Sequence, residues 1–149
     1  MEFKRIRETD LLACTAAFID IFNDEPWYDE WTFEGAKQYI SDFYKTPNFL
    51  GILAVENGEI IGFIYGVTRA WWSGKEFYIH EMGVKKAWRN QGIGTALLER
   101  LAQALEGRNV DNFALLTDRG MPAEEFYKKN GFKEIERLVF YSRDLLFPK

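Results

Sequence analysis

Two neighbouring stretches combine residues able to move a proton with residues able to hold an anion. Tyr78-Ile79-His80-Glu81-Met82-Gly83-Val84 is followed, five positions on, by Arg89-Asn90-Gln91-Gly92-Ile93-Gly94-Thr95-Ala96. A carboxylate or an imidazole in the first run can take a proton from an amine nucleophile, directly or through water. Gly92 and Gly94 open an amphipathic segment. The first N–H groups of a helix there lack internal partners, and its dipole favours an anion. Without side chains, the two glycines let a pyrophosphate approach the backbone, and Arg89 adds positive charge. A P-loop is excluded because Thr95, not lysine, follows Gly94. A dinucleotide fingerprint is excluded because Leu97 fills the place of its third glycine. Alone, the two glycines read equally well as a tight turn before a helix.

A third stretch, Asp24-Glu25-Pro26-Trp27-Tyr28-Asp29-Glu30-Trp31, interleaves aromatics with carboxylates. That mixture suits an amine or polyamine through cation–π contact and ion pairing, with Trp71-Trp72 as a second wall. The alternative is that Trp27 and Trp31 pack helices while the acids face water. The lone Cys14 excludes an intramolecular disulfide, and with His80 the only histidine no metal site is expected. A net charge of −4 argues against a general nucleic-acid surface. No apolar run approaches the roughly 18–20 residues of a membrane span. The charged start, Met1-Glu2-Phe3-Lys4-Arg5, reads as a cytoplasmic protein.

At 149 residues the chain has the length of one domain, 1–149, with no repeat or linker dividing it. Phe3–Arg7 alternates as a strand. Thr9 or Asp10 caps a helix with Leu11, Cys14, Phe18 and Phe22 on one stripe, and Thr32 caps a second helix through Tyr44. Phe49–Glu56 and Glu59–Thr68 are strands joined by Asn57-Gly58, a strong hairpin signal. Gly51, Gly62 and Gly66 within them point to bulges or close backbone approach. A strand follows from Lys75 to Val84, then a helix from Gly92 to Glu106 with Ile93, Leu97, Leu101 and Leu105 spaced every four residues. Phe113–Thr117 is a strand, Pro122–Lys129 a helix, and Phe132–Leu145 one or two closing strands. The order defines an α/β fold with a mixed sheet.

Arg89-Asn90-Gln91-Gly92-Ile93-Gly94, following a strand late in the chain, resembles the acetyl-CoA motif of the GNAT superfamily of N-acetyltransferases. Ala123-Glu124-Glu125-Phe126-Tyr127-Lys128-Lys129-Asn130-Gly131-Phe132 resembles the second signature of that family, a helix carrying Tyr before Gly-Phe. The element order matches over essentially the whole chain. Asn90 departs from the glycine frequent at its position, but asparagine tolerates left-handed backbone. The resemblance implies a mixed, largely antiparallel sheet flanked by helices and splayed at the acetyl-CoA site.

It further implies that the pantetheine arm pairs with the main chain at Met82, Gly83 and Val84, beside a strand irregularity placed at Gly83. The diphosphate would lie on main-chain N–H groups of Arg89, Asn90, Gln91, Gly92, Ile93, Gly94 and Thr95. Lys85 or Lys86 would reach other phosphates. Tyr127 stands where the family keeps a general acid for the CoA sulfur, and Glu81 where members carry a base or ammonium anchor, with His80 second. Each also has a structural reading: Tyr127 as a core tyrosine, Glu81 as a paired carboxylate, His80 as a satisfied strand histidine. The Pro-Trp…Trp-Thr segment with the Glu81 strand looks like aminoglycoside 6′-N-acetyltransferase-like chains, so a small cationic amine bound by Trp27, Tyr28 and Glu81 is the expected acceptor. Peptide N-termini and lysines, or a CoA-binding sensor without turnover, stay open as alternatives. Many relatives dimerise through their C-terminal strands or sheet edges; Leu138-Val139-Phe140-Tyr141 would play that part in a homodimer, or would face this chain's own core.

Overall fold

The computed structural model describes residues 1–148. They form two compact units, the first Met1–Leu116 and the second beginning at Thr117. The first holds β1 (Glu2–Arg5), α1 (Leu11–Phe22), α2 (Phe33–Tyr44), β2 (Phe49–Glu56), β3 (Glu59–Trp71), β4 (Gly74–Val84), α3 (Ile93–Leu105) and β5 (Val110–Ala114). The second holds α4 (Pro122–Lys129).

The five strands make one sheet in sequence order. β1 to β4 are antiparallel, and β5 runs parallel to β4. Asn57 and Gly58, at φ 50° and 77°, turn β2 into β3, as that dipeptide predicts. Trp72 and Ser73 turn β3 into β4, with Trp71 opposite Gly74. Trp71 and Trp72 therefore stand exposed at a hairpin tip, roughly 20 Å along the strand from Glu81, and are not a wall beside it.

Burial explains the layers. On α1, Cys14, Ala17, Phe18 and Ile21 are at most 2% exposed; of the expected stripe, Cys14, Phe18 and Phe22 are buried and Leu11 is half-buried. With Ala36 and Ile40 of α2 they cover Leu53, Phe63 and Tyr65 of the sheet. Each such side chain contributes roughly 1.5–3 kcal/mol when buried. α3 packs Ile93, Leu97, Leu98, Leu101 and Leu105, with Leu97 set against Gly62.

β4 positions the site. Its pairing with β5 ends at Tyr78 opposite Ala114, so the stretch from Ile79 to Val84 has no β5 partner on that edge. β5 itself ends at Ala114, level with Tyr78, on the side where the splay is expected. The irregularity lies elsewhere than expected: Tyr65 pairs with Glu81 but Gly66 with Ile79, so the extra residue is His80, not Gly83. Gly83 has another use. A β-carbon there would come within 2.9 Å of Ile21 Cγ2, so the missing side chain lets α1 sit close on β4.

In the second unit, α4 begins at Pro122 and ends at Asn130, with Gly131 at φ 89°. Gly120 N–H donates to Glu124 Oε2 at 2.6 Å, and Arg119 pairs with Glu134. The closing strands expected over Phe132–Leu145 do not form, and β5 starts at Val110, not Phe113. Leu138, Val139, Phe140 and Tyr141 are strand-prone, but a strand needs a paired edge and none is bonded to them among the described residues. They are 62–87% exposed.

Candidate active site

Adjacent residues of a regular strand face opposite sides of the sheet. The bulge at His80 removes that rule locally, and the side chains of both His80 and Glu81 meet α2. The His80 ring centres 4.3 Å from Phe43 and 4.6 Å from Tyr78. Glu81 Oε1 accepts a 2.6 Å hydrogen bond from the Tyr39 hydroxyl. Its Oε2 has no hydrogen-bond partner among the described residues.

Burial drives the Glu81 pKa up, and the Asp29 carboxylate pushes the same way against the lowering bond from Tyr39. The result is about 7. The carboxyl is thus poised near neutral pH, where a general base works best. Burial moves His80 the other way, and Arg69 adds to it, so the imidazole stays neutral more readily than usual. Burial and the Glu81 charge raise the Tyr39 phenol, which keeps its proton and remains a donor. Tyr65, opposite Glu81 on β3, has a fully buried hydroxyl without a hydrogen-bond partner among the described residues.

The connection between α1 and α2 supplies the remaining surface. Asn23 bonds both main-chain groups of Trp31, at 2.9 Å each, and Trp31 Nε1 donates to Asp29 at 3.2 Å. The Trp31 ring lies 5.1 Å from Tyr39, and Asp29, Glu30, Trp31 and Thr32 line an open cleft. Trp27 is partly buried against the core, as in the packing alternative. It packs edge-on against Phe22 at 5.1 Å, and the Arg89 guanidinium covers its face at 5.4 Å. Tyr28 is 66% exposed with its hydroxyl 3.4 Å from Glu25.

The loop before α3 has the shape of an anion cradle. Asn90 and Gly92 are both left-handed, at φ 62° and 81°, so asparagine does adopt the conformation expected of it. Left-handed residues in such a turn gather N–H groups on its concave side. The first bond into the helix is from Ala96 N–H to Gly92 O at 3.0 Å, which leaves Gly94 and Thr95 N–H before it without a helical acceptor. Arg89 braces this loop: Nε donates to Val84 O at 3.0 Å and Nη1 to Glu25 O at 3.5 Å. Lys85 and Lys86, the further candidates for phosphates, are both in ion pairs at the surface. Lys85 pairs with Asp20 and Glu59, and Lys86 with Glu25.

The structure therefore joins Glu81, His80, Met82, Gly83 and Val84 on one bulged strand. The Arg89–Thr95 loop is braced to that strand through Val84. Tyr127, in the second unit, lies between Phe126 and Phe132 at 5.4 and 5.3 Å. Tyr39 is the functional residue that sequence reasoning missed. Its spacing with Ala36, Ile40 and Phe43 marks the inward face of α2, but no spacing could name its partner 42 residues away. No cluster of His, Cys, Asp and Glu suited to a metal occurs among the described residues, and none of their helices is long and apolar enough to cross a membrane.

Comparison with known proteins agrees with this geometry. The chain belongs to the acetyltransferase (GNAT) family, whose model matches residues 13–132. It is 30% identical over 123 residues to an N-alpha-acetyltransferase of Sulfurisphaera tokodaii, covering 74% of this chain and 68% of the relative. An aminoglycoside acetyltransferase from an uncultured soil metagenomic sample, in complex with sisomicin, superposes with a TM-score of 0.76 at 18% identity, over 97% of this chain and 96% of its own. An aminoglycoside N-acetyltransferase in complex with CoA gives 0.77 at 15% identity, over 97% and 95%. The fold is that of an acetyl-CoA-dependent acetyltransferase. The residues here fit such a donor: the free edge of β4 from Ile79 suits an extended arm, and the Asn90–Thr95 cradle suits a diphosphate.

Proposed function

We propose that this chain transfers acetyl from acetyl-CoA to a primary amine by direct attack of the amine on the thioester. The observation that carries the reading is Glu81, half-buried, with Oε1 held by Tyr39 and its pKa near 7. An alkyl ammonium with pKa near 10.4 is neutral in only about one molecule in 10³–10⁴ at pH 7. Glu81 takes a proton from the ammonium, which frees the nitrogen lone pair; the N–C bond then forms as the C–S bond breaks, and the second proton lost by the acylated nitrogen offsets the one given to sulfur. Acetyl-CoA supplies the activated acetyl carbon when bound. A main-chain N–H near Met82 or Gly83 stabilises the oxygen that gains charge. Tyr127 returns a proton to the departing sulfur, and Tyr127→Phe should slow turnover while leaving donor affinity unchanged.

The proposed acceptor is a small cationic amine of the aminoglycoside or polyamine kind. Asp29 and Glu30 beside the Trp31 ring support it, as do the aminoglycoside acetyltransferases of like fold. Tyr28 is kept as an acceptor contact. Trp27, its face taken by Arg89, acts by shaping the loop. A peptide or protein N-terminus is the second reading, favoured by the Sulfurisphaera tokodaii relative. Free-thiol release from acetyl-CoA across aminoglycosides, polyamines and peptides separates the two. Donor binding without turnover on any amine would favour a sensor and sink both.

A homodimer through the C-terminal segment is proposed as well. Leu138, Val139, Phe140, Tyr141, Leu145, Leu146 and Phe147 are all more than 60% exposed. At about 150–250 Å² for each aromatic, the aromatics of two such segments supply roughly 900–1,500 Å², most of the ~1,600 Å² of a standard interface, and the leucines and valine add to it.

A further inference from the structure

We infer that Tyr39 is a positioning residue for Glu81: its hydroxyl fixes one carboxylate oxygen and leaves the other to the acceptor ammonium. The inference rests on the reading of Glu81 as proton acceptor. A phenol that keeps its proton can only donate to a carboxylate, so the 2.6 Å contact gives Oε1 to Tyr39. Oε2, without a partner among the described residues, is then the oxygen that meets the amine.

The support for Tyr39 is rigid. Thr32 caps α2 by accepting from Gly35 N–H at 3.0 Å, and Ala36 and Ile40 are at most 1% exposed. The Tyr39 ring is fixed between Trp31 and Phe43, each 5.1 Å away. The hydroxyl thus reaches Glu81 from a helix anchored by its own cap and by the core, with Phe43 also resting on His80 of β4. Without it, a carboxylate on a bulged strand would rotate between several staggered positions, only some aimed at an incoming amine.

The bond also sets when Glu81 can act. The titratable groups around the carboxyl are Tyr39 from α2, Tyr65 from β3, Asp29 from the α1–α2 connection and His80 beside it on β4. Burial and Asp29 favour the protonated acid, and only Tyr39 favours the anion. Removing the hydroxyl therefore moves the titration upward.

The test is Tyr39→Phe, which keeps the ring and its contacts. A side-chain carboxyl NMR titration of the whole chain, with the Glu81 signal assigned by its loss in Glu81→Gln, needs no acceptor. The expected result is a midpoint raised by roughly one pH unit, since a hydrogen bond to a charged group is worth about that much. With an active acceptor, the acid limb of kcat/KM should rise equally and the rate below it fall about tenfold, with acetyl-CoA affinity unchanged. A purely structural Tyr39 would lower the melting temperature and leave the midpoint in place, and that outcome overturns the inference. Full turnover by Glu81→Gln would instead remove the proton-acceptor reading, a separate result.

Discussion

Gly66 and Tyr78 stand so close across β3 and β4 that a β-carbon on Gly66 would overlap the Tyr78 carbonyl oxygen, and it would lie 2.7 Å from Phe77 Cε1. This contact lies beside the bulge that turns His80 and Glu81 to the same side. Gly66→Ala should push the strands apart there and restore alternation. Overpacking of this kind costs about 1–3 kcal/mol. Displacing Glu81 by about 1 Å should cost about 10²-fold in kcat/KM. Melting curves and kinetics on the same preparation would separate the two effects, and wild-type turnover would show that the bulge is dispensable.

Glu81 should leave a mark on stability against pH. Its pKa in the folded chain is about 7, above the ordinary 4.5, so folding favours the protonated acid. That contribution is complete below about pH 4.5 and is lost as pH rises through 7, on the order of 3 kcal/mol in all. Glu81→Gln, uncharged throughout, should therefore be more stable than wild type at pH 8 and lack this pH-dependent loss. Denaturant melts at pH 5 and 8 give the sign. A wild-type gain in stability relative to Glu81→Gln on going to pH 8 would contradict the burial argument.

Arg89 holds the anion cradle and the α1–α2 connection at once, through Val84 O, Glu25 O and the Trp27 ring. Its Nη2 is buried without a hydrogen-bond partner among the described residues. Arg89→Met should weaken acetyl-CoA binding about tenfold, the loss of one charge-assisted contact, and raise KM for the acceptor as well. Calorimetry reads the first and kinetics the second. Unchanged values for both would mean that the loop holds its shape without this brace.

The exposed C-terminal segment makes a direct prediction about assembly. Leu138→Ser combined with Phe140→Ser should convert a dimer to a monomer in sedimentation, and tryptic cleavage after Arg137 should become faster. A wild-type chain that sediments as a monomer at high concentration would end the proposal.

Much of the fold follows from local patterns. The Asn57-Gly58 turn, the Thr32 cap, the four-residue stripe of α3 and the Pro122 start of α4 each need only neighbours in sequence. The left-handed turn at Asn90 and Gly92 was readable for the same reason, whereas Glu81 was singled out by family resemblance and its role is a proposal. Three things were not. The bulge at His80 depends on Gly66 across the sheet, and Tyr39 meets Glu81 only once α2 has packed. Residues 132–145 have the composition of strands, but pairing is a property of a second strand and not of the segment itself.

β5 leaves β4 after Tyr78, so the rest of that strand keeps one edge unpaired by β5. If acetyl-CoA binds there as proposed, its arm would cover those main-chain groups, and a donor that binds only the folded chain would also protect it from proteolysis.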